Sequence, residues 1–441
     1  MAQDYTEFPS TEPILASHTK IIDNFKASRS LNSGTSFPTT DLYNGTPCWR
    51  TDLDELYIYD GISAWTKFDA SALANTPNIP TGNIAATNVQ AAINELDAEK
   101  EPASPLLTDA VATNTIGRKN LIINGDMRID QRNAGAEVSP AITNTYYLDR
   151  ILAASTTASK FKIGQNAGAV TPPDNFTNYL GVTSISAYTP LASDFFQVKQ
   201  NIEGYNASSL GYGKASAKTV TLSFWVRSSL TGDFGVVLSW GSVYGNERGY
   251  PVLYTINTAN TWEYKTITIA GDTTDSASGQ DVGSRVGLQV RFSLGGGADN
   301  AGTSGAWATG NLQSVTGGTS VVSTNGATFY ITGIQLEIGS VATDFEYRSI
   351  GEELALCQRY FEKSNFYRSG DIVKNTNGLA TESFITPKRA NATVSFTTGD
   401  LINFTGSNIT NTTEHHFDHH PTGGVAGQGR YRMLWQADAE L

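Results

Sequence analysis

Apolar and polar residues alternate in short runs over most of the chain, and the pattern is clearest between Lys119 and Ser349. KTVTLSFWVRSS puts Val220, Leu222, Phe224 and Val226 on one side and Thr221, Ser223, Trp225 and Arg227 on the other. A period of two is the mark of a strand with distinguishable faces. TWEYKTITIAGD and RVGLQVRFSLGGG repeat the pattern, the latter with Val286, Leu288, Val290 and Phe292, and clusters of Gly, Asp, Asn and Ser mark the breaks. Strands this short and this regularly punctuated predict a mostly β chain centred on a two-sheet antiparallel sandwich over residues 119–349. Its opening and closing segments, KNLIINGDMRIDQRNAG and ATFYITGIQLEIGSVATDFEYRS, are expected to pair or pack together, with both ends of the domain close.

Helical periodicity appears in three other places. Ile14, Leu15, His18, Ile21, Ile22 and Phe25 follow Pro13 at helical spacing and predict a helix over about residues 12–27. TPCWRTDLDELYIYDGISAWTKFD then reads as a small β-meander with turns at Asp52 to Asp54 and at Asp60-Gly61, completing an N-terminal region over residues 1–70. Residues 71–118 form a linker holding a helix over 87–100, where Thr87 and Gln90 have capping-box spacing. Val89, Ile93 and Leu96 in that helix are spaced four and three apart, the seam of a coiled coil scarcely longer than one heptad. So short a helix is marginal alone in water, so the seam is buried against its own chain or against two further copies on a threefold axis. Ser349 and Glu352 cap a bridging helix over 350–364 whose stripe is Ile350, Leu354, Cys357 and Phe361. ESFITPKRANATVSF, DLINF and GRYRMLWQADAEL supply the strands of a small C-terminal β domain, residues 365–441.

Composition narrows the partners. The 441 residues exceed one ordinary core, and 42 glycines with only 16% charged residues suit a β-rich, loop-rich extracellular type of protein. A formal net charge of -12 disfavours a phosphate-tracking surface, so nucleic acid is not an expected partner. No apolar run approaches the ~20 residues that span a bilayer, so membrane insertion is not expected either. The N-terminus lacks a signal-peptide pattern, which points to synthesis in a cytoplasm. Two cysteines, Cys48 and Cys357, fall in different predicted domains and offer no disulfide framework.

Candidate chemistry is mostly that of binding. Trp240, Tyr244, Trp262 and Trp307 fall in or beside strand ends of the sandwich, where rings can stack on pyranose faces. In EHHFDHH, a strand would put His416, Asp418 and His420 on one face and His415 and His419 on the other. In one copy this is a solvated polar strand; repeated around a threefold axis it becomes a candidate transition-metal site, and no other cofactor is expected. The glycine runs at Gly295 to Gly297 and Gly317-Gly318 have no helix after them and are connections, not phosphate cradles.

NLIINGDMRIDQR, VTLSFWVRSS and GIQLEIGSVATDFEYRS resemble the carbohydrate-binding-module-type jelly roll of tail fibres and other tail proteins of tailed bacteriophages. EELALCQRYFEKS and WQADAEL carry the similarity to the end of the chain. The resemblance implies a virion structural protein, a homotrimer, attached to the phage tail or baseplate through its N-terminal region and reading a host surface glycan. It favours the threefold reading of the seam. It leaves open a tail, collar or baseplate decoration without receptor binding, and a bacterial glycan-binding module. No internal repeat supports the β-helix of depolymerising tailspikes, so no enzymatic activity is expected. In jelly rolls of this type the terminal strands often border a structural calcium, which points to Asp126 and Glu337, two carboxylates where calcium takes about six to eight oxygens.

Overall fold

A computed structural model describes residues 33–37, 39, 42, 44, 46–67, 119–140, 144–241, 245–274, 279–372 and 380–441. These fall into two units, one within Met1–Ser104 and one within Pro105–Leu441. The predicted helices over 12–27 and 87–100, with the seam Val89, Ile93 and Leu96, and the candidate Tyr244 lie outside the described residues.

In the first unit the predicted meander is β2 (Pro47–Arg50), β3 (Glu55–Tyr59) and β4 (Trp65–Lys67), antiparallel in chain order, and a strand not read from the sequence, β1 (Ser33–Gly34), adds parallel to β2. Its second turn is built by Asp60, whose Oδ1 accepts the N–H groups of Ile62, Ser63 and Ala64. So small a sheet makes its core from rings: Phe37 stacks on Trp65 at 5.1 Å and meets Tyr57 edge-on at 5.0 Å.

The second unit holds the sandwich. Five strands, β7 (Phe161–Gln165), β8 (Leu180–Ser184), β10 (Val220–Ser228), β13 (Glu263–Ile269) and β18 (Thr328–Ile338), form one sheet in the order β13-β10-β18-β8-β7. Facing it is a sheet in the order β16-β12-β11-β14-β9-β6-β5. Its strands are β5 (Thr145–Leu148), β6 (Ile151–Ser155), β9 (Phe195–Glu203), β11 (Gly232–Trp240), β12 (Arg248–Ile256), β14 (Val286–Gly296) and β16 (Ala308–Thr309). Every pairing in both sheets is antiparallel. The alternation read from the sequence is realised: Val220, Leu222, Phe224 and Val226 are all buried against Phe234, Val236, Leu238, Leu288, Val290 and Phe292. A short parallel pair, β15 (Ala301–Gly302) and β17 (Ser314–Val315), lies over the outside of the larger sheet, where Val315 meets Gly235 and Leu312 meets Gly249.

The opening and closing segments do pack together, although NLIINGDM is not a strand. Asn120 Oδ1 accepts the N–H groups of Ile122 and Leu336, and Gln200 holds both the N–H and the carbonyl of Ile123 through its side-chain amide. Asn124 takes a left-handed conformation (φ 59°), and its side chain bonds the backbone of Ile129 on both sides and the Asp149 carbonyl. Gly125 follows because a Cβ there would sit 2.2 Å from the Ile334 carbonyl oxygen. The motif is therefore a clip closed by these side chains together with two backbone bonds, Leu121 N–H to the Leu336 carbonyl and Ile334 N–H to the Gly125 carbonyl.

A helix, α1 (Ile350–Gln358), comes next; Ser349 Oγ accepts the Glu352 N–H at 3.2 Å as its cap. It is shorter than the 350–364 span of the sequence pattern: Phe361 already belongs to a strand and Ile350 is 55% exposed, while Cys357 is buried with Leu354, Ile123 and Tyr360. The C-terminal residues make two three-stranded sheets. One is β19 (Phe361–Ile372), β24 (Gly427–Asp438) and β21 (Thr393–Ile402), with β24 central. The other is β20 (Ala380–Ser383), β23 (His416–Gly423) and β22 (Phe404–Thr410), with β23 central. They close on Phe366, Phe384, Phe417, Tyr431, Met433 and Trp435. Arg132 and Arg150 of the sandwich reach Glu440 beyond β24 and tie this block to it.

Candidate functional site

The outer face of the five-stranded sheet is where the sandwich presents aromatic side chains to solvent. Because Val220 to Val226 point inward at every second position, Trp225 and Arg227 point out. Across the ladder Trp225 pairs with Tyr264 of β13, with ring centroids 5.4 Å apart at 46°. β13 is an edge strand, so Tyr264 is 44% exposed and Thr266 and Thr268 beside it are exposed as well. Arg227 is half-buried; its Nε has no hydrogen-bond partner, and no carboxylate among the described residues pairs with its guanidinium. On its far side the register places Tyr330, which packs with Tyr179 at 5.4 Å and, through Tyr179, with Trp262 at 5.7 Å. Trp262 Nε1 donates to the Thr171 carbonyl at 2.8 Å, which fixes the ring as a wall. The result is a ring-paved floor, a cation with spare donors and a row of hydroxyls, a set that can stack on an apolar sugar face and bond its hydroxyls.

Two of the three tryptophans selected from the sequence, Trp240 and Trp307, serve other ends. Trp240 is fully buried and belongs to the core, because it continues the inward series Phe234, Val236 and Leu238 of β11. Its Nε1 donates to Asp272 at 3.0 Å. Burial works against the Asp272 charge, but the bonds from Arg248, Thr274 and Trp240 outweigh it and hold the carboxyl below the usual range. Trp307 is half-buried, edge-on to Tyr212 and Tyr250, with its N–H on the Ala270 carbonyl at 2.7 Å. Of the selected tryptophans, Trp262 borders the open face. Trp225 and Tyr264 were missed, although the alternation that placed Phe224 inward already placed Trp225 outward.

His416, Asp418 and His420 do share the outer face of β23, with Phe417 and His419 turned inward. Asp418 is engaged by Thr381 Oγ1 at 2.6 Å and Asn411 Nδ2 at 2.8 Å, and these bonds hold its carboxyl below the usual range. Among the described residues no three His, Cys, Asp or Glu side chains converge as metal ligands. The two carboxylates named for calcium have protein partners in this structure. Asp126 pairs with Arg128, and Glu337 takes Gln335 Nε2, the Thr343 N–H and Thr343 Oγ1.

The outer face of the larger sheet is polar and sealed. Arg291 pairs with Glu247 and is capped by the Leu312 carbonyl at 2.5 Å. Gln289 Nε2 donates to Asn201 Oδ1 at 2.6 Å, and Asn201 Nδ2 donates to Tyr146 Oη at 3.1 Å and to the Leu441 backbone at 2.8 Å. Lys199, 8% exposed, lies between Leu152 and Arg291 in register and has no partner among the described residues. Burial, and then the Arg291 charge, push its ammonium down to about 8.

No protein-family model matches the sequence, and no curated protein matches it. Solved structures match about half of the chain at low similarity. A bacteriophage CBA120 tailspike protein 4 domain, described as enzymatically active, is 12% identical over 50% of this chain and 21% of its own, with a TM-score of 0.26. A xylan-binding domain from Paenibacillus barcinonensis is 9% identical over 51% and 99%, at 0.23. A family 11 carbohydrate-binding module from Clostridium thermocellum, in complex with a mixed-linked tetrasaccharide, is 14% identical over 47% and 98%, at 0.22. The matched part thus spans about a fifth of the tailspike domain's length. At these scores the likeness carries no argument about what this chain binds.

Proposed function

We propose that the chain is a non-enzymatic tail fibre protein of a tailed bacteriophage that binds a host cell-surface glycan through the outer face of the five-stranded sheet. The observation that carries the reading is the outward Trp225–Tyr264 pair, with Trp225 half-buried and Tyr264 44% exposed, beside Arg227, whose guanidinium pairs with no carboxylate among the described residues. The cross-strand ring pair adds to the stability of the sheet, but the open side of Tyr264 and the unpaired guanidinium of Arg227 remain for a saccharide to use. The tail assignment draws on the resemblance carried by NLIINGDMRIDQR, VTLSFWVRSS and GIQLEIGSVATDFEYRS. On this reading the mature location is the virion, the N-terminal region attaches to the tail or baseplate, and three copies join through Val89, Ile93 and Leu96. Three copies would also multiply weak single-site affinity.

The test is an array of bacterial surface polysaccharides probed with the full chain and its Trp225→Ala and Tyr264→Ala variants. Binding of a defined glycan, weakened tenfold or more (about 1.4 kcal/mol) by either variant, is expected. An array with no bound glycan favours the decoration reading, and release of reducing ends from the bound polysaccharide would refute the non-enzymatic one. Light scattering of the full chain is expected to give three copies, and Ile93→Asp with Leu96→Asp to separate them.

A further inference from the structure

The bare side of the sheet β19-β24-β21 carries a second surface of unusual charge. β24 is its middle strand, yet Arg430, Arg432, Leu434 and Gln436 are all exposed, while the alternate positions Tyr431, Met433 and Trp435 close on the core. Register sets Tyr367 beside Arg432, and Lys363 and Ser395 on either side of Gln436. The charged groups described on this face are Lys363, Arg430 and Arg432, with Asp438 at the end of β24 already paired to Arg132, in a chain whose net charge is -12. Lys363 reaches a backbone carbonyl, that of Arg132, and neither arginine has a partner among the described residues. Basic residues commonly guard exposed sheet edges, but Arg430 and Arg432 sit on a strand that is paired on both sides and has no edge to guard. Two positions apart on one face, they stand about 7 Å from each other and repel.

The face also has relief. Lys363, Ser395, Thr397 and Gln436, with Phe396, Leu434 and Trp435, line a shallow depression of about 140 Å³ that joins hydroxyl, amide and ammonium groups to apolar residues. Tyr367, 57% exposed, offers a ring next to Arg432.

We infer that this face binds an acidic saccharide chain. Arg430, Arg432 and Lys363 take its carboxylates, Ser395, Thr397 and Gln436 bond its hydroxyls, and Tyr367 stacks on a ring. Charge complementarity selects an anionic occupant, and the hydroxyl and amide lining with an exposed ring selects a sugar over an acidic peptide. The inference takes its class of occupant from the glycan reading but uses none of the residues of the Trp225 face.

The experiment measures binding of the full chain to polygalacturonate, with polyglutamate and neutral dextran as controls, in low and physiological salt. Wild type is expected to bind polygalacturonate over both controls and to weaken as salt rises. Arg430→Glu with Arg432→Glu should reduce that binding at least a hundredfold, the milder Arg432→Gln and Tyr367→Ala several-fold each, and Trp225→Ala not at all. All four positions face solvent, and an unchanged melting temperature verifies each fold. Wild type that ignores polygalacturonate, or binds polyglutamate equally well, overturns the inference and leaves the Trp225 site standing. Loss on Trp225→Ala alone assigns acidic sugars to the first site and overturns it too. A change of assembly mass in the double variant, without a change in binding, would make this face a contact between copies and likewise refute it.

Discussion

The two outer faces of the sandwich start from the same rule, with every second side chain of each strand turned away from the core, and end differently. On the larger sheet the outward positions are Gln197, Lys199, Asn201, Gln289 and Arg291, none more than 8% exposed. The Asn311 to Ser314 segment and Glu440 and Leu441 lie over them and supply partners. On the smaller sheet the outward positions over β10 and β13 are Trp225 and Arg227, half-buried, and Tyr264 and Thr266, exposed, with nothing among the described residues sealing them over. The sealed face spends most of its polar groups on itself, with Lys199 and Gln197 Oε1 left over but buried out of a ligand's reach, so it contributes to structure. The open face leaves rings and donors unspent, which is the condition for binding.

The sharpest way to break this contrast is to strip the sealed face of a partner. Glu440→Ala leaves Arg150, 1% exposed, as an uncompensated buried charge and should cost about 3–5 kcal/mol, read as a fall in the denaturation midpoint. Hydrogen exchange is expected to show β19 and β24 opening first. Trp240→Ala, a core truncation that also removes one of the donors to Asp272, should cost a similar ~3–5 kcal/mol and leave the affinity of the folded fraction for glycan intact.

Lys199 tests the sealed face in the opposite direction. Its folded-state value, about 8, lies below the ordinary lysine value of 10.5, so the unfolded chain binds more protons between these limits. The penalty is full below pH 8 and is relieved as pH rises from about 8 to 10.5; stability rises over that window. Lys199→Met should abolish that rise and stabilise the protein at pH 7 by about 1–3 kcal/mol. A destabilising Lys199→Met would mean that the ammonium has a partner. The smallest stability effect belongs to the open face: Trp225→Ala is expected to move stability by less than about 1 kcal/mol, although it weakens glycan binding most.

Much of this was legible in the chain. The inward set of β10, the turn at Asp60, the cap at Ser349 and the common face of His416, Asp418 and His420 all follow from local spacing. Trp240 was chosen for its place at a strand end, whereas counting parity back to Phe234 assigns it to the core. Distant partners were not legible. NLIINGDM looks like a strand until Gln200, 77 residues on, occupies the hydrogen bonds of Ile123. Alternation also says which residues leave the core but not whether something covers them; for Lys199 and Arg291 the answer lies with Asn311 to Ser314 and the residues after β24.

The central claim, that the open face of the smaller sheet is the glycan site, is tested most directly by fluorine NMR of the full chain with its seven tryptophans replaced by 5-fluorotryptophan. Substitution of single tryptophans assigns the signals, and the oligosaccharide selected on the array is titrated in. The account predicts that the Trp225 signal shifts and saturates with the binding curve, Trp262 moves less, and Trp240 stays still. A Trp225 signal that does not move while the oligosaccharide binds would contradict it.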